Sequence, residues 1–212
     1  MPPAAHLAAF TITALVVIVI PGPSVLFVVG RALGNGRRVA VLSVAGNSVG
    51  EYLQVVAVAV GVGAVAERSV TAFTALKLAG GAYLVYLGLK TFRERRSLAV
   101  GLRGAGDPAS DRRAFVEGMA VGATNPKTVV FLAAILPQFA QPARGGVAGQ
   151  VLVLGLIFTA IALVSDTAWA LAADRLRTWF GRSPRRLELV GGAGGLAIVA
   201  VGAGLLASGR KG

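Results

Sequence analysis

The sequence predicts an all-α integral membrane protein, with six transmembrane helices forming two inverted three-helix repeats and both termini outside. Composition, a series of apolar stretches and a faint internal repeat lead to this fold class. Of the 212 residues, 55% are hydrophobic, a further 29 are glycine and 14% are charged. Soluble domains carry roughly 25% charged residues. The formal net charge of +12 is therefore expected outside the bilayer, because a charge in the lipid core is costly.

Composition also excludes several classes of protein. A mean hydropathy of +0.74 is too high for a disordered chain, which needs low hydrophobicity. A soluble nucleic-acid-binding protein keeps an ordinary polar surface around its basic patch, so no nucleic-acid partner is expected. The absence of cysteine excludes disulfides, thiol chemistry and thiolate metal sites. We predict no cofactor and no metal site.

Six stretches are long and apolar enough to cross a membrane. A spanning helix needs about 20 mainly apolar residues. Six such helices use about 120 residues, and the rest of the chain is needed for loops, one linker and the ends, so no soluble domain is expected. No lysine or arginine precedes the first stretch, so this helix is expected to stay in the mature protein rather than act as a signal peptide. The stretches are residues 7–30, 39–65, 70–89, 114–136, 147–173 and 187–207.

Basic residues predict the orientation. Most of the 21 lysines and arginines fall in the segments that follow the first, third and fifth stretches. Cytoplasmic loops carry the Lys and Arg excess, so these segments are expected on the cytoplasmic side. The segment 91–113 is rich in arginine and is interpreted as a cytoplasmic linker. It separates a first repeat, residues 1–90, from a second, residues 114–212.

A weak internal sequence repeat relates the two halves of the chain. PGPSVLFV at 21–28 aligns with NPKTVVFL at 125–132, and KLAGGA at 77–82 aligns with ELVGGA at 188–193. Both matches occur in the same order, at the first and third helix of each half. Two adjacent three-helix units must enter the membrane from opposite sides, which gives the inverted repeat found in many secondary transporters.

Prolines interrupt the first helix of each half near mid-membrane. Such breaks are tolerated where protein or a water-filled cavity adjoins the helix. A half-helix that restarts there presents free N–H groups and partial positive charge to an anion. A substrate carboxylate is the expected ligand. In the alternative interpretation, the two breaks are simple proline kinks and the lysine side chain snorkels. The predicted binding residues are Pro21, Gly22, Pro23, Ser24, Asn125, Pro126 and Lys127.

Three ionisable residues stand inside apolar stretches: Glu51, Asp166 and Lys127. Each costs at least about 2.5 kcal/mol at the bilayer centre unless it is paired or hydrated. We expect Glu51 and Asp166 to carry a coupling proton, with Lys127 as counter-ion. A static buried ion pair is the alternative. Asn47, Gln54 and Tyr83 are candidates for the cavity wall, although each could instead serve helix packing.

Three segments carry a family resemblance. PGPS in the first helix, KLAGGAYLVYLGLK in the third and NPKTVVFLAAILPQF in the fourth resemble the LysE/RhtB superfamily of bacterial amino-acid exporters. The resemblance is closest to the homoserine, threonine and leucine efflux branch. Asp166 in VSDTAW fits an acidic position of that family, whereas the position of Glu51 is acidic in some members and apolar in others.

The resemblance implies export of small neutral amino acids or their derivatives across the bacterial inner membrane, driven by proton antiport. The expected partners are an amino-acid substrate, protons and the lipid bilayer, and a homodimer is left open. One alternative is a cation or metal exporter of the same superfamily. Another is a membrane protein without transport function, although no His, Cys and Ser constellation at membrane depth indicates an enzyme.

Overall fold

The computed structural model describes residues 2–66, 70–94, 110–176 and 183–208, and this part of the chain is almost entirely helical. After Pro126–Val130, the helix continues as a π-helical turn, Phe131–Ile135, and a 3₁₀ turn, Leu136–Phe139. A second 3₁₀ turn spans Pro142–Arg144. Most of the predicted linker lies outside the described residues. The α-helices are α1 (Ala4–Val19), α2 (Pro23–Asn35), α3 (Arg37–Ala66), α4 (Val70–Arg93), α5 (Asp111–Thr124), α6 (Pro126–Val130), α7 (Val147–Arg175) and α8 (Pro184–Ser208).

Helices α3 and α7 are each able to cross a membrane by length and composition, over Arg37–Gly61 and Val147–Arg175. Two bent pairs pass the same test: α1 with α2, bent by 50°, and α5 with Pro126–Phe139, bent by 41°. The described part of the chain thus holds two spans, or four if each bent pair is one span. Residues Glu188–Gly204 form a shorter apolar helix. Six spans, inverted repeats and external termini stay predictions.

Both helix breaks have the same local cause. Ile20 and Asn125 each precede a proline and adopt extended backbone, with ψ of 117° and 111°. Proline disfavours the helical conformation in the residue before it, so α1 and α5 end there. The chain becomes helical again with Pro23 and Pro126 in the first turn, where a missing N–H leaves no hydrogen bond unmade.

Glycines bring α3 and α5 into close contact. A Cβ at Gly46 or Gly50 on α3 would overlap backbone atoms of α5, and one at Gly118 or Gly122 would overlap backbone atoms of α3. Small residues at such positions let two helix backbones approach closely. Helices α4 and α8 meet in the same way through glycines on both helices. The α3–α5 contact fixes the depth of the polar side chains described below.

Two apolar clusters form the core. The first lies between α1, the segment after α6, and α7, where the aromatic rings of Phe131 and Phe158 stack with centroids 5.1 Å apart. The second joins α2, the start of α3 and the end of α7. Its buried members are Val25, Val28, Val29, Ala32, Ala40, Val44, Ala170 and Ala173.

Candidate functional site

A layer of buried polar side chains lies between the two apolar clusters. Along α3, Val44 belongs to the second cluster and Val55 to the first; along α7, Ala162 belongs to the first and Ala170 to the second. The polar residues of both helices fall between these positions, so the layer lies at mid-depth. We call it the polar layer; its members are Ser24, Asn47, Glu51, Gln54, Asn125, Lys127, Thr128 and Asp166, all buried.

The two helix breaks meet inside the polar layer. Asn125 is the N-cap of α6, and its Oδ1 accepts a hydrogen bond from the Lys127 backbone N–H at 3.1 Å. The other side of the same amide, Nδ2, donates to Ser24 Oγ at 2.5 Å. Ser24 lies in the first turn of α2. A single side chain therefore caps one half-helix and links it to the start of the other.

Lys127 is buried, with 5% of its surface exposed. Its Nζ donates to the carbonyl oxygens of Val17 at 3.1 Å and Ile20 at 2.9 Å. The last carbonyls of a helix have no partner within the helix, and a cation there interacts favourably with the helix dipole. The break in the first helix thus provides the acceptors that hold Lys127. Among the described residues, no ion pair joins Lys127 to Glu51 or Asp166.

The two carboxyl groups are equally buried, each 3% exposed. Asn47 Nδ2 donates to Asp166 Oδ2 at 3.1 Å, which connects α3 with α7. Thr128 Oγ1 donates to Glu51 Oε1 at 3.4 Å, which connects α6 with α3. With both carboxyls ionised, the layer holds two negative charges against the one positive charge of Lys127. It can therefore accommodate one further cation, either a proton or a positively charged group.

Other predicted residues differ in their distance from this layer. Gly22 is adjacent to it, because a Cβ there would lie 3.1 Å from Lys127 Nζ. The Pro21 carbonyl faces α8, where it fills the space that a side chain at Gly194 would need. Tyr83 is placed elsewhere: it is 42% exposed on α4 and its ring packs beside Tyr86, with centroids 6.0 Å apart.

Sequence reasoning missed Thr128 as a site residue. Its only signal in the sequence is its position next to Lys127, and a helical threonine commonly bonds to its own helix backbone instead. It also missed the role of Glu117, which forms ion pairs with Arg31 and Arg113. These pairs and the Arg38–Asp111 pair lie at one end of the molecule, which we call the arginine-rich end. The pair with Arg31 connects α2 to α5.

In the described part of the chain the polar layer is closed, because all of its side chains are buried. The cavity beside Lys127 has a volume of only about 10 Å³, at the lower limit for a single water molecule. A much larger open groove, about 760 Å³, runs along the outside of α1 and α7. Apolar residues line most of it, including Leu15, Ile161 and Val164. No group of three or more His, Cys, Asp or Glu side chains suited to a metal occurs in the described part of the chain.

Residues 15–209 match the family described as LysE type translocator. The chain belongs to this family. It is 36% identical over 202 residues to a homoserine/homoserine lactone efflux protein of Salmonella typhimurium, which covers 95% of this chain and 96% of the relative. A leucine efflux protein of Salmonella choleraesuis is 25% identical over 135 residues, 61% of each chain. No solved structure matches.

Membership in this family fixes the general class of the protein. The family is one of translocators, and the two relatives named above are efflux proteins rather than enzymes. A further relative, 34% identical over 177 residues, is an uncharacterized membrane protein of Vibrio cholerae that covers 83% of this chain and is itself covered to 84%. Together with the apolar helices, these relatives identify the translocator as a multi-pass membrane protein.

Proposed function

We propose that this translocator exports small neutral amino acids or their derivatives from the cytoplasm in exchange for protons. The observation that carries the proposal is the polar layer, in which two carboxyl groups and a lysine are buried where two helix breaks meet. Its family membership and the relatives named for homoserine and leucine efflux support the substrate class. Homoserine and leucine share an α-carboxylate and an α-ammonium group, and homoserine lactone keeps the α-ammonium group, so a site that recognises these groups fits the substrates in the relatives' names.

Lys127 is proposed to bind the substrate carboxylate. An ammonium has three N–H donors, and the carbonyls of Val17 and Ile20 use two of them. The third donor is available to an anion. The helix starts at Pro23 and at Pro126 add partial positive charge at the same depth. In this proposal Ser24 and Asn125 fix the two starts relative to each other.

Glu51 and Asp166 are proposed to carry the coupling proton. Only one of the two negative charges is balanced by Lys127, so a proton taken up by either carboxyl makes the layer neutral. The transporter without substrate then changes conformation at lower cost, because its buried polar layer carries no net charge. One charge crossing 100 mV is worth about 2.3 kcal/mol, so each proton supports roughly fiftyfold accumulation.

The inverted repeat and the inner-membrane location belong to the same proposal. In the proposed topology the arginine-rich end, where Arg31 pairs with Glu117, faces the cytoplasm. Two structurally related halves could then open the polar layer alternately to each side. The apolar clusters above and below the layer support such a mechanism, because each would close one route to the layer.

Inside-out membrane vesicles test the proposal directly. The full-length chain is overproduced, a pH gradient is imposed with the vesicle interior acidic, and uptake of a panel of radiolabelled amino acids is measured. We expect accumulation of homoserine, threonine or leucine that disappears when a protonophore collapses the gradient. Matched vesicles without the overproduced chain provide the background.

Two outcomes would contradict the proposal. Lack of gradient-driven accumulation across the whole panel would exclude proton-coupled amino-acid export. Uptake of a divalent cation in place of any amino acid would instead support the cation-exporter alternative. Parallel measurements with Mn²⁺ and Zn²⁺ in the same vesicles distinguish the two.

A further inference from the structure

The polar layer contains three buried oxygen atoms without a hydrogen-bond partner on one face of α3. They are Asn47 Oδ1, Glu51 Oε2 and Gln54 Oε1. Residues at positions i, i+4 and i+7 of a helix lie on the same face. The side chains are 0%, 3% and 9% exposed, so bulk water does not satisfy these atoms.

The partners of these side chains show that all three atoms are acceptors. Asn47 directs its amide nitrogen at Asp166 Oδ2, and Gln54 directs its amide nitrogen at the Gly122 carbonyl oxygen at 2.7 Å. Neither an ionised Asp166 carboxylate nor the Gly122 carbonyl can donate, so the amide oxygens point elsewhere. Glu51 uses Oε1 to accept from Thr128 and leaves Oε2 unpartnered.

Unpartnered buried acceptors cost free energy, and native proteins leave few of them. A ligand that satisfies them has to be rich in donors and carry no acceptor where it contacts them. An ammonium group has this chemistry, with three N–H donors and no lone pair. Glu51 adds a negative charge, which favours a cation over a neutral donor such as water.

We propose that Glu51 Oε2, flanked by the Asn47 and Gln54 amide oxygens on this face of α3, is the subsite for the α-ammonium group of the exported amino acid. The inference rests on the proposed function and assigns the end of the substrate opposite to the carboxylate. A single carbon separates the two charged groups of an α-amino acid, so their subsites must adjoin. Thr128, the residue after Lys127, contacts Glu51 at 3.4 Å, so the Glu51 carboxyl adjoins the helical turn that carries Lys127.

The subsite also gives the exchange a simple physical basis. A proton on Glu51 and a substrate ammonium group require the same carboxylate, so the two cannot bind there together. Substrate leaving on one side frees Glu51 for a proton, and loss of that proton on the other side readies it for the next substrate. Competition for the Glu51 carboxyl group then contributes to coupling, together with the proton site at Asp166.

A pair of ligands that differ only at the nitrogen tests the assignment. The probes are L-homoserine and 2,4-dihydroxybutanoate, in which a hydroxyl replaces the α-amino group and the carboxylate is kept. Dissociation constants are measured on the purified full-length protein. We expect the wild type to bind homoserine at least about tenfold more tightly, in line with a charge-assisted hydrogen bond.

Variants locate the source of this preference. Glu51→Gln keeps the shape of the side chain and should remove most of the preference by weakening homoserine binding alone. Gln54→Leu should reduce it by a smaller factor and gives a second measurement if the first variant does not fold. Ser48→Ala is the control, since it removes an equally unpartnered buried oxygen a quarter turn away on the same helix.

The outcomes separate the two proposals. A preference for homoserine that survives in both Glu51→Gln and Gln54→Leu overturns the ammonium subsite and leaves amino-acid export standing. Equal binding of both probes by the wild type has the same meaning. Absence of binding and transport for every amino acid in the panel overturns the proposed function, and the subsite with it.

Discussion

Lys127 is the residue on which the geometry of both helix breaks depends. Its Nζ donates hydrogen bonds to two carbonyl oxygens at the end of α1, and its backbone N–H donates to the Asn125 side chain. A hydrogen bond to a charged group is worth about 1.5–3 kcal/mol, and buried carbonyls left without a donor add to the loss. The side chain thus both stabilises the break and supplies the positive charge of the polar layer.

Replacing this lysine should therefore reduce transport and stability together. We expect Lys127→Met, which keeps most of the side-chain length, to lower uptake by at least about tenfold. Vesicle uptake and thermal unfolding of the purified protein measure the two effects. Lys90→Met is the control, because Lys90 is exposed in the last turn of α4. Full uptake by Lys127→Met would remove this residue from the binding site.

Asp166 permits a sharper separation between binding and coupling. In Asp166→Asn the amide oxygen still accepts from Asn47, so the link between α3 and α7 is kept while a protonatable group is lost. We expect the variant to lose accumulation driven by a pH gradient but to retain exchange of labelled for unlabelled amino acid. Gradient-driven accumulation at the wild-type level would show that Asp166 does not carry the coupling proton.

Much of the polar layer is predictable because a charge in an apolar stretch is conspicuous. The sequence singles out Lys127, Glu51 and Asp166 on that ground, and the structure brings all three into one layer. The contacts between side chains of the layer are not predictable in the same way. Whether Asn125 meets Ser24, or Thr128 meets Glu51, depends on the rotation and depth of separate helices, which a sequence of interchangeable apolar residues does not specify.

At the scale of whole helices, the α3–α5 contact is the most closely packed part of the site's scaffold. Gly50 has no room for a methyl group, because the α5 backbone at Met119 and Gly122 occupies that position. Gly61 lies further along the same helix, and a Cβ placed there would meet nothing within 4 Å. Close helix packing therefore requires a glycine at position 50 but not at position 61.

This difference predicts opposite effects of the same substitution. Gly50→Ala should destabilise the protein by about 1–3 kcal/mol, since an overpacked backbone contact cannot relax. Gly61→Ala should be neutral or stabilise by up to about 1 kcal/mol, because alanine favours the helix. Chemical or thermal unfolding in the same detergent measures both. Equal effects of the two substitutions would show that α3 and α5 do not pack this closely.

The helix breaks are predictable at this scale, whereas the segment after α6 is not. Proline fixes its own φ and restricts the preceding residue, so Pro21 and Pro126 locate a break from local chemistry alone. The π-helical turn at Phe131–Ile135 has no comparable local signal. It forms within the first apolar cluster, where Phe131 packs between Phe10 and Phe158.

For the whole molecule, the closed polar layer requires that one end or the other opens during transport. At the arginine-rich end, the second apolar cluster covers the layer and the ion pair between Arg31 and Glu117 joins α2 to α5. At the opposite end, His6 on α1 contacts the Phe139 carbonyl oxygen at 3.2 Å and Gln141 at 3.3 Å. Polar contacts therefore join separate helices at both ends.

The ion pair at the arginine-rich end provides the test of opening. Glu117→Gln should weaken the tie between α2 and α5 and shift the population toward states open on that side, by up to about tenfold for a partly buried charged hydrogen bond. The chain has no cysteine, so Val28→Cys introduces a single reporter thiol. Val28 is fully buried in the second apolar cluster, and its rate of labelling by a thiol reagent reports exposure of that cluster.

Asp111→Asn in the same Val28→Cys background is the matched control. It breaks the pair with Arg38, in which the Arg38 and Asp111 side chains are 80% and 50% exposed, and exposed pairs contribute about 1 kcal/mol at most. We expect faster labelling in Glu117→Gln and little change in Asp111→Asn. Unchanged labelling in both would mean that the pair is a surface contact without influence on opening. In the proposed function, substrate bound in the polar layer holds the closed state, so saturating homoserine should slow the labelling in Glu117→Gln again.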